Sequence, residues 1–147
     1  MSKLSVIILA GGSGTRMASN LPKVLHQVGG KALLDHVIDA VLPLKPADIF
    51  VIYGHKGEMV LEAMQHRNAV ITWVEQKERL GTGHAVLQVL PHLQKDHQVL
   101  ILCGDVPLIS TETLQHLLDA TAHNQLGLVT ANVPKPFGLG RIIRDAY

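Results

Sequence analysis

The residues best suited to chemistry form one run, Leu9-Ala10-Gly11-Gly12-Ser13-Gly14-Thr15-Arg16-Met17, followed shortly by Pro22-Lys23. Glycines let backbone N–H groups approach an anion closely, and a concave run of such groups makes an anion nest. Arg16 and Lys23 would neutralise the charge that the nest leaves uncompensated. The chemistry expected is binding of the phosphates of a nucleoside triphosphate. For the Gly-x-Gly element alone, a glycine-rich connection with two solvated cations is the plainer alternative. A Walker A loop would place Gly-Lys-Ser/Thr after four intervening residues, an order absent here. A dinucleotide fingerprint would need a third glycine where Met17 stands, and no acidic residue closes the next apolar run, Ile49 to Tyr53.

Asp105 follows an apolar run and Gly104, and Pro107 stiffens its loop. Mg²⁺ takes one or two carboxylates together with substrate phosphates, so Asp105 is the best-placed ligand for it, with a turn-capping aspartate as the alternative. In Gln76-Lys77-Glu78-Arg79-Leu80-Gly81-Thr82-Gly83-His84-Ala85, the Gly81 and Thr82 amides and the Gln76 side chain offer groups that read a base or ribose. The same turn is also explained as a helix cap by Thr82 shaped by Gly81. His84 is read either as orienting this turn or as a satisfied structural histidine, and Lys77, Glu78 and Arg79 as a solvated loop. Cys103 has no adjacent base or cation, which makes it a small buried thiol rather than a nucleophile. The nine histidines are scattered without metal-ligand spacing, and His92, His97, His116 and His123 read as surface residues.

Parallel strands must position these groups. Short apolar runs at Leu4 to Leu9, Ile49 to Tyr53, Val70 to Glu75, Val99 to Leu102 and Gly127 to Val133 predict strands. Between them, Leu33, Leu34, Val37, Ile38 and Val41 share one helical face, as do Ala85, Val86, Val89 and Leu90. Ser110 and Glu112 mark a helix start before Leu114, Leu117 and Leu118. Alternating helices and uniformly apolar strands predict an α/β fold, a mostly parallel sheet with helices on both faces. The polar and glycine-rich loops, including Gly54-His55-Lys56-Gly57, then fall at the carboxyl ends of the strands, where open α/β sheets bind ligands.

The 147 residues suit one domain, and 47% apolar against 17% charged residues suffice for a core. A net charge of +1 with two Phe, two Tyr and one Trp provides no basic stripe or stacking platform, which argues against nucleic acid. Leu4 to Ala10 is too short for a signal peptide or a membrane span, so no membrane association is expected. One cysteine allows no internal disulfide and fits a reducing, cytoplasmic compartment.

Taken together, LAGGSGTRM with its following PK resembles the signature of the sugar-nucleotide pyrophosphorylase family of nucleotidyltransferases, over essentially the whole chain. The short gap from Arg16 to Pro22-Lys23, EQKERLGTGHA, GDVPLIS and Gly138-Leu139-Gly140-Arg141-Ile142 are similar to its bacterial members that act on N-acetylglucosamine 1-phosphate and carry a hexapeptide-repeat acetyltransferase domain. The resemblance implies a Rossmann-like nucleotidyltransferase fold with residues 1–147 as the N-terminal part of that domain, truncated at its C-terminus and without the acetyltransferase domain. It implies transfer of UMP from UTP to N-acetylglucosamine 1-phosphate, giving UDP-N-acetylglucosamine and pyrophosphate for cell-wall precursor synthesis.

By the same resemblance, Leu9, Ala10, Gly11, Gly12, Gly14 and Thr15 hold the nucleotide, and Arg16 and Lys23 are catalytic cations on its phosphates. Gln76, Gly81 and Thr82 read the uracil, Cys103, Gly104 and Asp105 belong to the nucleotide site, Asp105 binds Mg²⁺, and Gly140 contacts the sugar. Cys103 stands where relatives often have tyrosine, and Gly12 where they often have alanine. The second metal ligand and further acceptor residues of such enzymes lie beyond residue 147. An unpaired sheet edge would then favour self-association, where full-length members form trimers. Two other readings remain: a uridine-nucleotide-binding module without turnover, and a cytidylyl- or guanylyltransferase of cofactor synthesis, which should lack LGTGHA.

Overall fold

The computed structural model describes residues 3–12, 14, 17–121 and 125–143. In chain order its elements are β1 (Leu4–Leu9), β2 (Gln27–Val28), β3 (Lys31–Ala32), α1 (Leu33–Val41), β4 (Asp48–Tyr53), α2 (Gly57–Ala63), β5 (Thr72–Glu75), α3 (Thr82–Leu87), β6 (Gln98–Cys103) and α4 (Thr111–Ala120). Strands β5-β4-β1-β6 form one sheet in that order, and every pairing in it is parallel. The chain lays β1, β4 and β5 outward on one side, then returns to place β6 on the other side of β1. The strand order therefore reverses between β1 and β6, which makes their carboxyl ends the topological switch point.

Period-two alternation in buried strands divides the core into two layers. Val6, Ile8, Ile49, Val51 and Leu100 face Leu34, Val37, Ile38 and Val41 of α1, Val60 of α2 and Leu114 of α4. Ile7, Phe50, Ile52 and Val74 face Ala85 and Val89 on and after α3. Helices thus cover both faces, as the apolar strands require. The apolar face of α1 is buried at all five predicted positions. α4 begins where expected, with the Ser110 hydroxyl oxygen accepting a hydrogen bond from the Thr113 backbone N–H at 3.1 Å. No helix among the described residues is long and apolar enough to cross a membrane.

Several expectations are corrected. No strand forms over residues 127–133, whose leucines and valines stay exposed. β-branched residues make a strand only where a neighbouring edge supplies hydrogen-bond partners, and this segment pairs with none. β5 begins at Thr72 because the Val70 N–H closes a turn onto the Arg67 carbonyl. The helix carrying Ala85 ends at Leu87, and a separate 3-10 turn with Pro91 inside it leaves Leu90 exposed. A hairpin of β2 and β3 went unforeseen, although Gly29 and Gly30, both at positive φ, are what a tight two-residue hairpin loop uses.

His97 is not a surface residue: its side chain is only 6% exposed. Its Nδ1 lies 2.7 Å from Ser5 Oγ and 3.4 Å from Asp48 Oδ2, and Ser5 Oγ donates to that carboxylate at 3.1 Å. One ring nitrogen meets both partners, so the trio is a polar seal at the amino ends of β1, β4 and β6. A catalytic triad would use opposite ring nitrogens.

A second polar cluster fixes α1, whose near neighbours include the segment that carries Lys23. Arg67 Nε donates to Asp35 Oδ1 at 2.7 Å and its Nη2 to Asp39 Oδ1 at 2.7 Å. His66 Nε2 lies 3.0 Å from the same Asp35 oxygen, and Lys31 pairs with Asp39. Burial alone would raise the Asp39 pKa. Hydrogen bonds from Lys31 and Arg67 outweigh it and hold the carboxyl below its ordinary 3.8. A depressed carboxylate contributes stability above its unfolded-state pKa and loses it as pH falls through the folded value. Arg67→Ala leaves the buried Asp35 with His66 as its one remaining partner in this cluster and should cost about 3 kcal/mol in urea unfolding at neutral pH. It should also flatten the decline in stability below about pH 4. An unchanged unfolding midpoint would contradict this role.

Candidate functional site

The hydrogen-bond ladder of the sheet runs one residue beyond its strands. The Ala10 N–H donates to the Ile52 carbonyl at 2.8 Å, Gly104 N–H to Leu9 at 2.9 Å and Gln76 N–H to Tyr53 at 2.8 Å. Three loops therefore leave the sheet edge from fixed starting points. They approach so closely that a Cβ on Gly54 would sit 3.2 Å from the Gly11 carbonyl oxygen, and one on Gly104 3.1 Å from that of Leu9. A side chain at either position would force that backbone to give by a few tenths of an ångström, and a cleft of about 630 Å³ opens above.

Leu9, Gly11 and Gly12 at and after the end of β1, Gln76, Gly81 and Thr82 around the start of α3, and Cys103 and Asp105 at and after the end of β6 all line this cleft. Lys23 joins them from a 3-10 turn, Lys23–Leu25, whose Val24 and Leu25 are buried in the core and leave the lysine directed at the cleft. Ile52 and Ala85 add apolar lining. Lys23 Nζ donates to Asp105 Oδ2 at 2.6 Å, so the proposed phosphate cation and the proposed metal carboxylate neutralise each other across the switch point.

Gln76 is buried, and its amide nitrogen has two polar neighbours. Its Nε2 lies 3.1 Å from the Gly81 carbonyl oxygen and 3.2 Å from Nδ1 of His84. The Oε1 atom, 3.3 Å from where a Gly11 Cβ would be, is left as an acceptor beside the cleft. His84 thus lies against the amide that bonds the turn at Gly81. The cap of α3 is Gly81 rather than Thr82, at φ 103°, ψ 177°.

Other predicted residues fall elsewhere. Thr15 and Arg16 lie outside the described residues, as does His123. Ala10 and Gly104 are buried beneath the cleft and act through backbone alone. Gly14 adopts φ 58° beside Lys23 without lining the cleft. Gly140 is not brought there either: it lines a separate hollow with Leu128 to Val133. Lys56 donates to the Asn20 carbonyl at 2.6 Å, bracing the segment that leads into Lys23.

Cys103 is exposed on the cleft rather than buried, because it ends an edge strand. Partial desolvation and the nearby Asp105 carboxylate push its thiol pKa up against the opposing pull of Lys23, which removes nucleophilic character. Arg79 is the residue missed. Its neighbours Lys77 and Glu78 made it look solvated, yet it lines the cleft as a further cation. Among the described residues, no group of three or more His, Cys, Asp or Glu side chains could hold a metal ion. Asp105 is the carboxylate that lines the cleft, and one carboxylate can share a cation with substrate phosphates.

The chain matches the family model of the MobA-like NTP transferase domain over residues 6–140. It is 56% identical over 144 residues to the bifunctional protein GlmU of Francisella tularensis subsp. holarctica, covering 98% of this chain and 31% of that protein. The chain thus spans about a third of the length of the curated relatives it matches. A nucleotidyl transferase from Methanothermobacter thermautotroptrophicus superposes with a TM-score of 0.72 at 22% identity, over 82% of this chain and 58% of that one. A Mycobacterium tuberculosis H37Rv protein solved as a complex with manganese gives 0.66 at 18% identity, over 80% and 59%. At these identities the two structures share the fold.

Gly81 supplies a test of the site's backbone. A Cβ there would meet nothing within 4 Å, so substitution is penalised only by its left-handed φ of 103°. Gly81→Ala should cost about 1–3 kcal/mol of stability, read in thermal unfolding, with no steric contribution. A variant as stable as the parent would show that this turn relaxes freely.

Proposed function

Because the chain belongs to the MobA-like NTP transferase family, we propose that its cleft transfers UMP from UTP to N-acetylglucosamine 1-phosphate, releasing pyrophosphate. The product, UDP-N-acetylglucosamine, is a cell-wall precursor. The observation that carries this reading is the convergence of a glycine-rich loop, Lys23, Gln76 and Asp105 on one cleft at the switch point. The 56% identity to a GlmU protein, taken with the resemblance of the sequence motifs, supports uridine and the sugar phosphate among the nucleotides and acceptors such a cleft accommodates. Residues 1–147 would be the N-terminal part of the nucleotidyltransferase domain, working in the cytoplasm.

The acceptor phosphate is already anionic, so no general base is required. Its oxygen forms a bond to the α-phosphorus of UTP as the bond to the departing pyrophosphate breaks. Catalysis then rests on alignment and on stabilising charge at the transferred and leaving groups. Backbone N–H groups from Gly11 and Gly12 are assigned to the phosphates, Lys23 to the α-phosphate and Arg16 to the leaving group. The Gln76 Oε1 accepts from a base N–H such as N3–H of uracil, while the backbone amides of Gly81 and Thr82 read the same base. Asp105 would hold Mg²⁺ jointly with the nucleotide phosphates, where the ion neutralises their charge. Gly140 is assigned to the sugar, which requires its segment to reach the cleft in the acceptor complex.

The test is pyrophosphate release by this chain from UTP, N-acetylglucosamine 1-phosphate and Mg²⁺, with CTP and GTP in parallel. Release with UTP above both is expected, and Lys23→Ala or Arg16→Ala should each lower kcat about 100-fold. Turnover near wild type in both variants would overturn the assignment. UTP binding without release would identify a nucleotide-binding module, and preference for CTP or GTP a different transferase.

A further inference from the structure

We propose that His84 is a positioning residue that sets which face of the Gln76 amide the cleft presents, and so favours a base with an N–H at its pairing edge over one with a bare nitrogen. This rests on the base-reading role given to Gln76 above. An unrestrained glutamine amide turns either its oxygen or its NH₂ toward a ligand and so discriminates little between uracil, whose N3 carries hydrogen, and cytosine, whose N3 accepts. Gln76 is restrained. The Gly81 carbonyl oxygen, 3.1 Å from Nε2, requires the NH₂ on its side, and the second hydrogen then points at His84 Nδ1, 3.2 Å away.

Only one nitrogen of a neutral imidazole accepts. Gln88 Nε2 approaches the other ring nitrogen, Nε2, at 3.2 Å, and it also donates to the His84 carbonyl at 3.1 Å. The two glutamines therefore compete for the single lone pair. Burial decides between them: Gln76 is only 7% exposed, where an unmade hydrogen bond costs more than at the half-buried Gln88, which keeps its bond to the His84 carbonyl. Nδ1 of His84 thus accepts from Gln76 and Nε2 carries the proton. In the other tautomer an N–H would face the Gln76 NH₂ and drive the amide to rotate. His84 is absent from the cleft lining, so it acts through Gln76 alone.

Titration calorimetry of the chain with UTP and with CTP, both with Mg²⁺, tests this with two substitutions of equal shape. His84→Asn places an amide oxygen near the position of Nδ1 and should keep the wild-type ratio of UTP to CTP affinity. His84→Leu removes the acceptor and should narrow that ratio about tenfold. A His84→Leu protein that retains the wild-type ratio, or a His84→Asn protein that loses it, overturns the proposal. A wild-type chain with no preference for UTP would instead refute the base-reading role of Gln76. Nitrogen-15 NMR of His84 in the ligand-free chain needs neither a nucleotide nor a folded variant. Hydrogen on Nε2 supports the proposal in that case too, and hydrogen on Nδ1 overturns it.

Discussion

Everything at the cleft depends on β1 being hydrogen-bonded along both edges. It is flanked by β4 and β6 in parallel register, with Leu9 opposite both Ile52 and Cys103. Because the ladder continues into Ala10 and Gly104, the two loops that part at the switch point do so from a common, rigid origin. A glycine-rich loop is by nature mobile and pays an ordering cost when it grips an anion. Here its first residues are ordered by the sheet before any ligand arrives. The apolar layers on both faces maintain that register, since a one-residue slip would turn Val6 and Ile8 away from α1 and Ile7 toward it.

The two ends of the sheet handle their polar groups differently. At the amino ends, Ser5, Asp48 and His97 satisfy one another, and the Asp35-Arg67-Asp39 cluster does the same beside α1. These groups are spent on structure. At the carboxyl ends, the Gly11 and Gly12 backbone, Gln76 Oε1 and Arg79 line the cleft with chemistry to spare. The spare polar groups named here therefore lie at the carboxyl edge, while Ser5, Asp48 and His97 at the amino edge are partnered with one another.

Much of this was legible from types and spacing. The uniformly apolar runs at Leu4 to Leu9 and Ile49 to Tyr53 identified strands buried on both faces, and the 3.6-residue period of Leu34, Val37, Ile38 and Val41 identified the helix on them. Loops placed after strands then located the cleft. What escaped was set by partners distant in sequence. Residues 127–133 have the composition of a strand yet pair with none of the strands, and His97 looks solvated until Ser5 and Asp48 are placed beside it. Arg79 was masked by its charged neighbours, and Cys103 by the assumption that a strand-end thiol is covered. No local pattern reports that β6 is an edge strand.

On the nucleotide-binding reading, the ion pair of Lys23 with Asp105 would favour a polyphosphate whose charge is partly offset by a bound cation. A polyphosphate arriving bare must draw Lys23 away and leave a carboxylate facing its own negative charge, a doubly unfavourable exchange. A polyphosphate arriving with a divalent cation brings a partner for each member of the pair, so the contact that is broken is replaced on both sides. On that reading the same two side chains, beside the further cation Arg79, would sort anions by whether they carry their counterion with them.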